Sequence, residues 1–570
     1  VKEDRTVTVR RIVVVGGSAA GPKAAAKARR MDQHAEVTII QKAPDLSMAS
    51  CGYPYYVGGF FDNRNELLCT PTGVVRDPKY YLNAKGIHAL TGMEAVAIDR
   101  ARRIVRYRAV EGGTEREIPY DRLVLATGAT AVMPPVPGID LEGITTLQSM
   151  RDADYLRRVR DEGKIKRAVV VGGGLIGVET CEALHLASIE ITVVEMLPQI
   201  LMFLDWEIAK LVENHMRAKG AHLVTDNPVA AFLGRDGKLT GVRLRNGTEL
   251  PCELAVVAVG VRPNAGLAKH AGLEVGEKGG IVVNEFMQTS DPDIYAAGDC
   301  VEIPSLLTGK RVHAPYGDLA NIQGRVAGQN VVLGPHARFP GTLQTGVCKV
   351  FDFAAGATGL SETTAQKAGL NTVSVVTAAP DKPGFMGGKL LIIKMVAERG
   401  TGRLLGVQCV GPGDVSKRIA AAAMALHGKL TVDDLAVADL PYAPPFSPAI
   451  DNLIVAAHVL ENKMTGRLTG ISCRDVKRKV DAGEDVFILD TRGPDEYEQL
   501  RLGIGEVLIP LGALRKRLAD LPADKIKEII CFCKISLRGY EAASLLEAHG
   551  WKNVKVMEGG LMAWPFEREK

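Results

Sequence analysis

The sequence predicts an α/β protein made of several packing units, and three observations carry that prediction. The segments RIVVVGGSAAG (11–21) and RAVVVGGGLIG (167–177) each read as a buried parallel strand, a turn of small residues and the start of a helix. Other short apolar runs, at 121–129, 289–299, 486–497 and 528–538, also run into turns. Finally, 570 residues exceed what one core can hold, so three to five units are expected.

Composition narrows the function classes. Hydrophobic residues make up 46% and charged residues 24%, globular values that exclude a disordered or fibrous chain. Lys+Arg 70 against Asp+Glu 66 leaves +4, a balance without the electrostatic footprint of nucleic-acid binding. No apolar run reaches the length of a bilayer span. Ten cysteines without a CxxC pair are too dilute for a disulfide scaffold and show no metal-ligand spacing. Reduced thiols, a cytoplasmic location and no metal are therefore expected. Arg5, Arg10 and Arg11 precede Ile12–Val15, but that run is too short for a signal-peptide core and ends in Gly16-Gly17, as a first strand would.

The first turn, Gly16-Gly17-Ser18-Ala19-Ala20-Gly21, is where a Rossmann unit sets a pyrophosphate against backbone N–H groups and the positive end of a helix. Ser18 takes the middle glycine's place, so alone the turn also suits a plain strand–helix connection. An Ala-rich helix over Lys23–Arg30 and a strand over Val37–Ile40 follow. Gln41, with Lys42 after it, then stands where an acid would bind ribose. An amide can hydrogen-bond a diol without contributing charge. The second turn is complete, with Gly172, Gly174 and Gly177, and Glu195 ends the next strand where it can accept two ribose hydroxyls. No arginine stands beside it for a 2′-phosphate, which favours NADH over NADPH. Gly260 joins these nucleotide-site candidates.

Two more motifs, Thr127-Gly128 in DRLVLATGA and Gly298-Asp299 in TSDPDIYAAGD, complete a set that resembles the two-dinucleotide-binding flavoproteins. The resemblance implies FAD in a domain split by an NAD(H)-binding insertion, with Asp299 on the flavin ribityl chain. It divides the chain into 1–150 and 269–334 for FAD, 151–268 for NAD(H) and 335–464 for an α+β dimerisation domain, with a further α/β domain over 465–570. A homodimer is implied.

Within Ser47-Met48-Ala49-Ser50-Cys51-Gly52-Tyr53-Pro54-Tyr55-Tyr56 stands one cysteine with no second a few residues away, which excludes an intramolecular redox disulfide. A lone thiolate beside an oxidised flavin must cycle through a mixed disulfide, a persulfide or a sulfenate. The segment is similar to that of the coenzyme A-disulfide reductases and NADH oxidases/peroxidases, which implies Cys51 as the redox-active nucleophile. Ser47 falls on the cofactor side of the segment. Members that handle peroxide carry a histidine where Ala19 stands, so disulfide or persulfide chemistry is expected. The resemblance also places Tyr442, in Tyr442-Ala443-Pro444-Pro445-Phe446-Ser447, as a proton donor or oxyanion stabiliser reaching from a partner subunit. His313, in RVHAPYGDLANIQGR, falls on the substrate side. Ile450 and Ser50 replace the family's lysine and asparagine, and Pro383-Gly384-Phe385-Met386 replaces a Tyr-Tyr-Pro-Gly segment. Coenzyme A stays a candidate ligand through Lys23, Lys27, Arg30 and Arg76, although solvated helix faces also carry such charges.

After a polar linker, Thr465–Gly470, the stretch VFILDTRGPDEY (486–497) reads as a strand and an acidic turn. EIICFCKISLR (528–538) reads as a strand, a loop and a helix start. Successive N–H groups from Cys533 to Arg538 can face one sulfur, while Lys534 and Arg538 add positive charge, which lowers a thiol pKa and suits sulfane-sulfur anions. With Asp490-Thr491-Arg492, Glu496-Tyr497, Glu558-Gly559-Gly560 and Trp564, these residues resemble a single rhodanese domain. That implies Cys533 as the carrier of a transferable sulfur. Ser536 replaces the loop's usual glycine, and Leu502-Gly503-Ile504-Gly505 replaces a Gly-His-Ile segment. Cys531 is expected in the core, and SKRIAAAAMALH (416–427) as a core or interface helix.

The sequence thus points to a flavoprotein that uses NADH to cleave persulfide or polysulfide bonds at Cys51. A low-molecular-weight thiol carries the substrate, and Cys533 handles sulfane sulfur. The alternatives are a coenzyme A-disulfide reductase with a vestigial tail and a sulfur-responsive carrier or regulatory protein.

Overall fold

The computed structural model describes residues 9–570, so Arg5 lies outside the described residues. They fall into two units: one runs to Met196 and resumes over Asn227–Thr342, the other joins Leu197–Asp226 to Leu343–Lys570.

In the first unit, Arg11–Val15 lies at the centre of a parallel sheet in the order Ile294–Ala296, Arg122–Leu125, Arg11–Val15, Glu36–Gln41, Ile87–Thr91. Ile12, Val13 and Val14 are almost wholly buried, as a strand covered on both faces requires. The first helix spans Ala20–Met31, three residues earlier than the sequence suggested. Its small residues let Gly324 and Gly328 of the helix Gly317–Leu333 pack directly on its backbone. A Cβ at either glycine would lie 2.3 Å from a carbonyl oxygen, of Ala20 or Ala24. A second set of parallel strands, Glu190–Val194, Arg167–Val171, Leu254–Val257 and Ile144–Thr145, carries the helix Leu175–His185.

In the second unit an antiparallel sheet runs in the order Gly346–Val350, Phe353–Gly359, Leu404–Gly411, Leu390–Glu398, Thr372–Pro380. The helices Val415–His427 and Asn452–Met464 pack on it. A parallel sheet follows, in the order Gly470–Ile471, Val554–Met557, Ile529–Phe532, Phe487–Asp490, Val507–Leu508. Cys531 is fully buried there, as expected.

Residues 197–226, within the stretch expected to bind NAD(H), belong to the second unit. Their contacts there are in large part electrostatic. Lys394, 2% exposed in the middle of the antiparallel sheet, needs counter-charges, and Asp205 (3.2 Å), Glu207 (2.5 Å) and Glu362 (2.8 Å) surround it. Gln408, also buried, exchanges two hydrogen bonds of 2.7 Å with Asp205. From the same helix, Trp206–Ala218, Trp206 packs on Phe566 with ring centroids 5.7 Å apart, and Arg474 lies over the Trp206 ring. Asn214 donates to the Pro565 carbonyl at 2.6 Å. Glu558 pairs with Lys463 and accepts from the Val376 N–H. The C-terminal sheet is therefore docked, not tethered.

Among the described residues no helix is long and apolar enough to cross a membrane, and no group of three His, Cys, Asp or Glu is placed to hold a metal ion.

Candidate active site

The two glycine turns are built alike. Gly16 and Gly172 both have φ of +110°, a conformation that favours glycine. A Cβ on Gly21 or Gly177 would lie 1.9 Å from the carbonyl oxygen of Gly16 or Gly172. The helices that follow, Ala20–Met31 and Leu175–His185, have no side-chain cap at Ala19 or Gly174, so their first N–H groups suit a pyrophosphate. Space beside Gly174 is open.

The residue ending the second strand serves each turn in the same way. Glu195 Oε2 accepts from the Gly173 N–H at 2.7 Å, and Gln41 Oε1 accepts from the Gly17 N–H at 2.8 Å. The Gln41 amide nitrogen also donates to the Asp45 carbonyl at 3.2 Å. Lys42 likewise turns to the surface, 2.8 Å from Glu94. Ser18 is exposed beside the turn, and Ser47, buried with φ of +53°, donates its N–H to the Gly17 carbonyl and shares a hydrogen bond with Tyr81. Thr127 donates its hydroxyl to the Asn264 carbonyl at 2.6 Å, and Asn264 returns a bond from its amide to the Thr127 carbonyl. Gly260, with φ of +106°, accepts from the Val132 N–H on the same crossover. Asn264 was not singled out from sequence, although it lies only four residues beyond Gly260, at the end of VRPN.

Cys51 lies in a short 3-10 turn, Ser50–Gly52, leading directly into the helix Tyr53–Gly58. Among the described cysteines it alone is exposed, and none of the ten is paired. Its sulfur lies 3.4 Å from where a Cβ on Gly317 would stand, so glycine lets the thiol approach the first turn of the 17-residue helix Gly317–Leu333. The helix start favours a thiolate. Desolvation by the surrounding wall opposes it most, followed by the carboxylates of Glu179, Asp299 and Asp318, and together they raise the thiol's pKa. The exposure is thus that of a group in a concave mouth, open on one side. Burial also raises the Asp299 carboxyl, and His313 Nε2 donates to the Asp299 backbone carbonyl at 2.8 Å. His313, Asp299 and Cys51 form one cluster.

Glu179, two residues after Gly177, escaped the sequence reading. Burial lifts its carboxyl to about 7, and the Tyr55 hydroxyl donates to it at 3.1 Å. Since the unfolded value is near 4.5, the native state binds the extra proton, and stability falls as pH rises from about 4.5 to about 7. Glu179→Gln will abolish that fall, worth at most about 3 kcal/mol. Thermal midpoints of both proteins at pH 5 and pH 8 check it; an equal pH shift in both would refute it.

In the second unit, Tyr442 is 54% exposed beside a cavity of about 590 Å³ shared with Lys382, Lys417, Pro441 and Phe446. Phe446, Phe385, Val437 and Ile450 are also exposed. Cys533 is fully buried at the end of its strand. The positive charge expected around it needs correction. Arg538 gives both terminal nitrogens to Glu496, at 2.6 and 2.9 Å, while Lys534 is solvent-exposed. Ser536 takes φ of +80° and donates to the Met557 carbonyl, a strained position for a side-chain residue. The N–H groups of Leu502, Gly503 and Ile504 all bind the Glu506 carboxylate, so this altered segment is closed on itself. Of the coenzyme A candidates, Arg76 donates to the Leu68 carbonyl within its own loop, and Lys23 and Arg30 are exposed on their helix.

The profile of pyridine nucleotide-disulphide oxidoreductases matches residues 10–314, that of their dimerisation domain 345–454, and that of rhodanese-like domains 472–566. The chain belongs to the pyridine nucleotide-disulphide oxidoreductase family. The structure of a NAD-dependent persulfide reductase from A. fulgidus matches it with a TM-score of 0.92 at 42% identity, over 97% of this chain and 100% of that one. A Methanocaldococcus jannaschii protein named NADH oxidase is 33% identical over 80% of this chain and 100% of its own length. A Pyrococcus abyssi protein named NAD(P)H sulfur oxidoreductase (CoA-dependent) is 35% identical over the same shares.

FAD and NAD(P)H are the cofactors of this oxidoreductase, and its residues fit them. The two turns close only because Gly21 and Gly177 carry no Cβ to strike the Gly16 and Gly172 carbonyls, and each turn meets an uncapped helix start. Gly177→Ala in the oxidoreductase will raise the KM for NADH more than about ten-fold while FAD content stays at that of the parent, because the added methyl collides with the Gly172 carbonyl. Steady-state kinetics and the flavin absorbance of the purified protein measure the two. An unchanged KM would sink the assignment.

Proposed function

We propose that the chain is an NADH-dependent reductase of persulfide or polysulfide sulfur, acting as a homodimer, with Cys51 as the nucleophile. The observation that carries this reading is one exposed thiol, on a helix start in a dinucleotide-binding fold, with no second thiol to close a disulfide. The second sulfur must then come from substrate. The names of the A. fulgidus and P. abyssi proteins support a sulfur substrate and coenzyme A as its carrier. Ten unpaired cysteines suit a reducing compartment, the cytoplasm. The exposed apolar side chains around Tyr442 suit contact with a second copy.

The Cys51 thiolate attacks R–S–SH at the carrier sulfur, giving Cys51–S–S–R and HS−. Two electrons and a proton then restore the thiolate and release R–SH. FAD, when bound, supplies those electrons from NADH. The start of the helix Gly317–Leu333 holds the thiolate's charge, and Glu179 can carry a proton at neutral pH. His313 fixes the backbone at Asp299, and Glu195 and Gln41 hold the two turns.

A second reading, a coenzyme A-disulfide reductase with a passive tail, is favoured by the complete burial of Cys533. Anaerobic NADH oxidation with coenzyme A persulfide or polysulfide against coenzyme A disulfide decides between them. Stoichiometric sulfide from the former, with little turnover of the latter, is expected. The reverse preference would establish the second reading.

A further inference from the structure

The loop that holds Cys533 carries two cations, and the geometry of one is unusual for a site meant to receive anions. Arg538 binds Glu496 with two nearly parallel bonds, one to each carboxylate oxygen. A third bond, from the Gly493 N–H, fixes the same carboxylate at the start of the helix Pro494–Gln499. Arg538, first among the causes, holds the Glu496 carboxyl down to about 2, so it is ionised at any working pH. Among the groups that act on the Arg538 guanidinium is the Cys533 thiol, five residues earlier in the loop. Arg492, the nearest cation on the neighbouring strand's turn, is buried and held by both oxygens of Asp490. Lys534 alone of the loop's charges points to solvent. The expected positive pocket is thus close to neutral, and the sulfur within it has no exposed surface.

We propose that Glu496 sets the donor class of this loop: by occupying Arg538 it turns away dianionic inorganic donors such as thiosulfate and admits thiol-bound hydropersulfides. The proposal rests on Cys533 as a sulfane-sulfur acceptor. With thiosulfate the step is Cys533–S− + S–SO3(2−) → Cys533–S–S− + SO3(2−). The sulfur–sulfur bond of the donor breaks, and sulfite leaves with the electron pair and both charges. A hydropersulfide instead reacts as Cys533–S− + R–S–SH → Cys533–S–SH + R–S−, with no dianionic group on the transferred sulfur and a leaving sulfur of single charge. Neither step has net oxidation. Only the first needs a free guanidinium to meet a dianion.

The test uses the full chain and reads the gain of one sulfur on the Cys533 peptide by mass spectrometry in single-turnover mixing, with thiosulfate and with glutathione hydropersulfide as donors. The parent protein is expected to load from the hydropersulfide at least ten-fold faster. Glu496→Gln should raise the thiosulfate rate at least ten-fold and move the hydropersulfide rate by less than three-fold. Glu496→Asp keeps the charge but is too short for both contacts, so its donor ratio should fall between the two. If Glu496→Gln does not fold, by far-ultraviolet dichroism, the aspartate variant decides alone. Loading that persists with the parent's donor ratio in every folded variant overturns the proposal and leaves Cys533 an acceptor. Equal rates from both donors in the parent overturn it as well. No loading from either donor refutes Cys533 as an acceptor, and the proposal falls with it.

Discussion

Cys51→Ser will lower NADH-dependent sulfide release by at least about 10³-fold, because a serine hydroxyl cannot form the sulfur–sulfur bond through which substrate is held. The loss should be in chemistry, not assembly. Cys51 is exposed, contributes nothing to either glycine turn, and lies against a glycine of the neighbouring helix, so an oxygen of similar size fits without disturbing Gly317. FAD content and the affinity for NADH are expected to match the parent. Anaerobic assays with a coenzyme A persulfide, quantifying sulfide and NADH together, separate the two effects. Full sulfide release by the variant would remove Cys51 from the mechanism.

Lys394→Met will destabilise the second unit by about 3–5 kcal/mol, the largest stability effect expected here. The ammonium is 2% exposed, and its removal leaves Asp205, Glu207 and Glu362 facing one another with no cation between them. The three carboxylates outweigh burial and raise the Lys394 pKa, so the ammonium persists through the neutral range and its contribution fades as pH climbs from about 10.5 towards that raised value. Adding Glu207→Gln and Glu362→Gln to Lys394→Met should recover much of the loss by removing the unpaired charge. Thermal midpoints of the single and triple variants measure both. A single variant as stable as the parent would show the cluster to be inert.

The parts of this molecule that chain spacing controls were legible in its sequence. A strand of four aliphatics before Gly16 or Gly172 has one local solution, and the turns formed where the glycines stand. What the sequence did not show depends on partners distant along the chain. The Gln41 contacts with Gly17 and Asp45 are not readable from spacing, because they form only once the strand and loop meet. Arg538 was read as free charge, and its neutralisation comes from Glu496, 42 residues earlier. Glu179 gave a signal, an acid two residues past a fingerprint glycine, but its significance arises from burial against Tyr55.

The docking of the last hundred residues through Trp206, Phe566 and Glu558 bears on how such a chain could have been assembled by gene fusion. A freshly joined domain hangs on its linker and can be lost by a single stop codon with little harm to its host. Here such a stop near residue 465 would uncover the Trp206 ring, strip Lys463 and the Val376 N–H of Glu558, and leave the Asn214 amide without its acceptor. The appended piece has become part of the host's masonry. Losing the last hundred residues would therefore require rebuilding a surface, so contact alone, apart from any sulfur chemistry, holds the two pieces together.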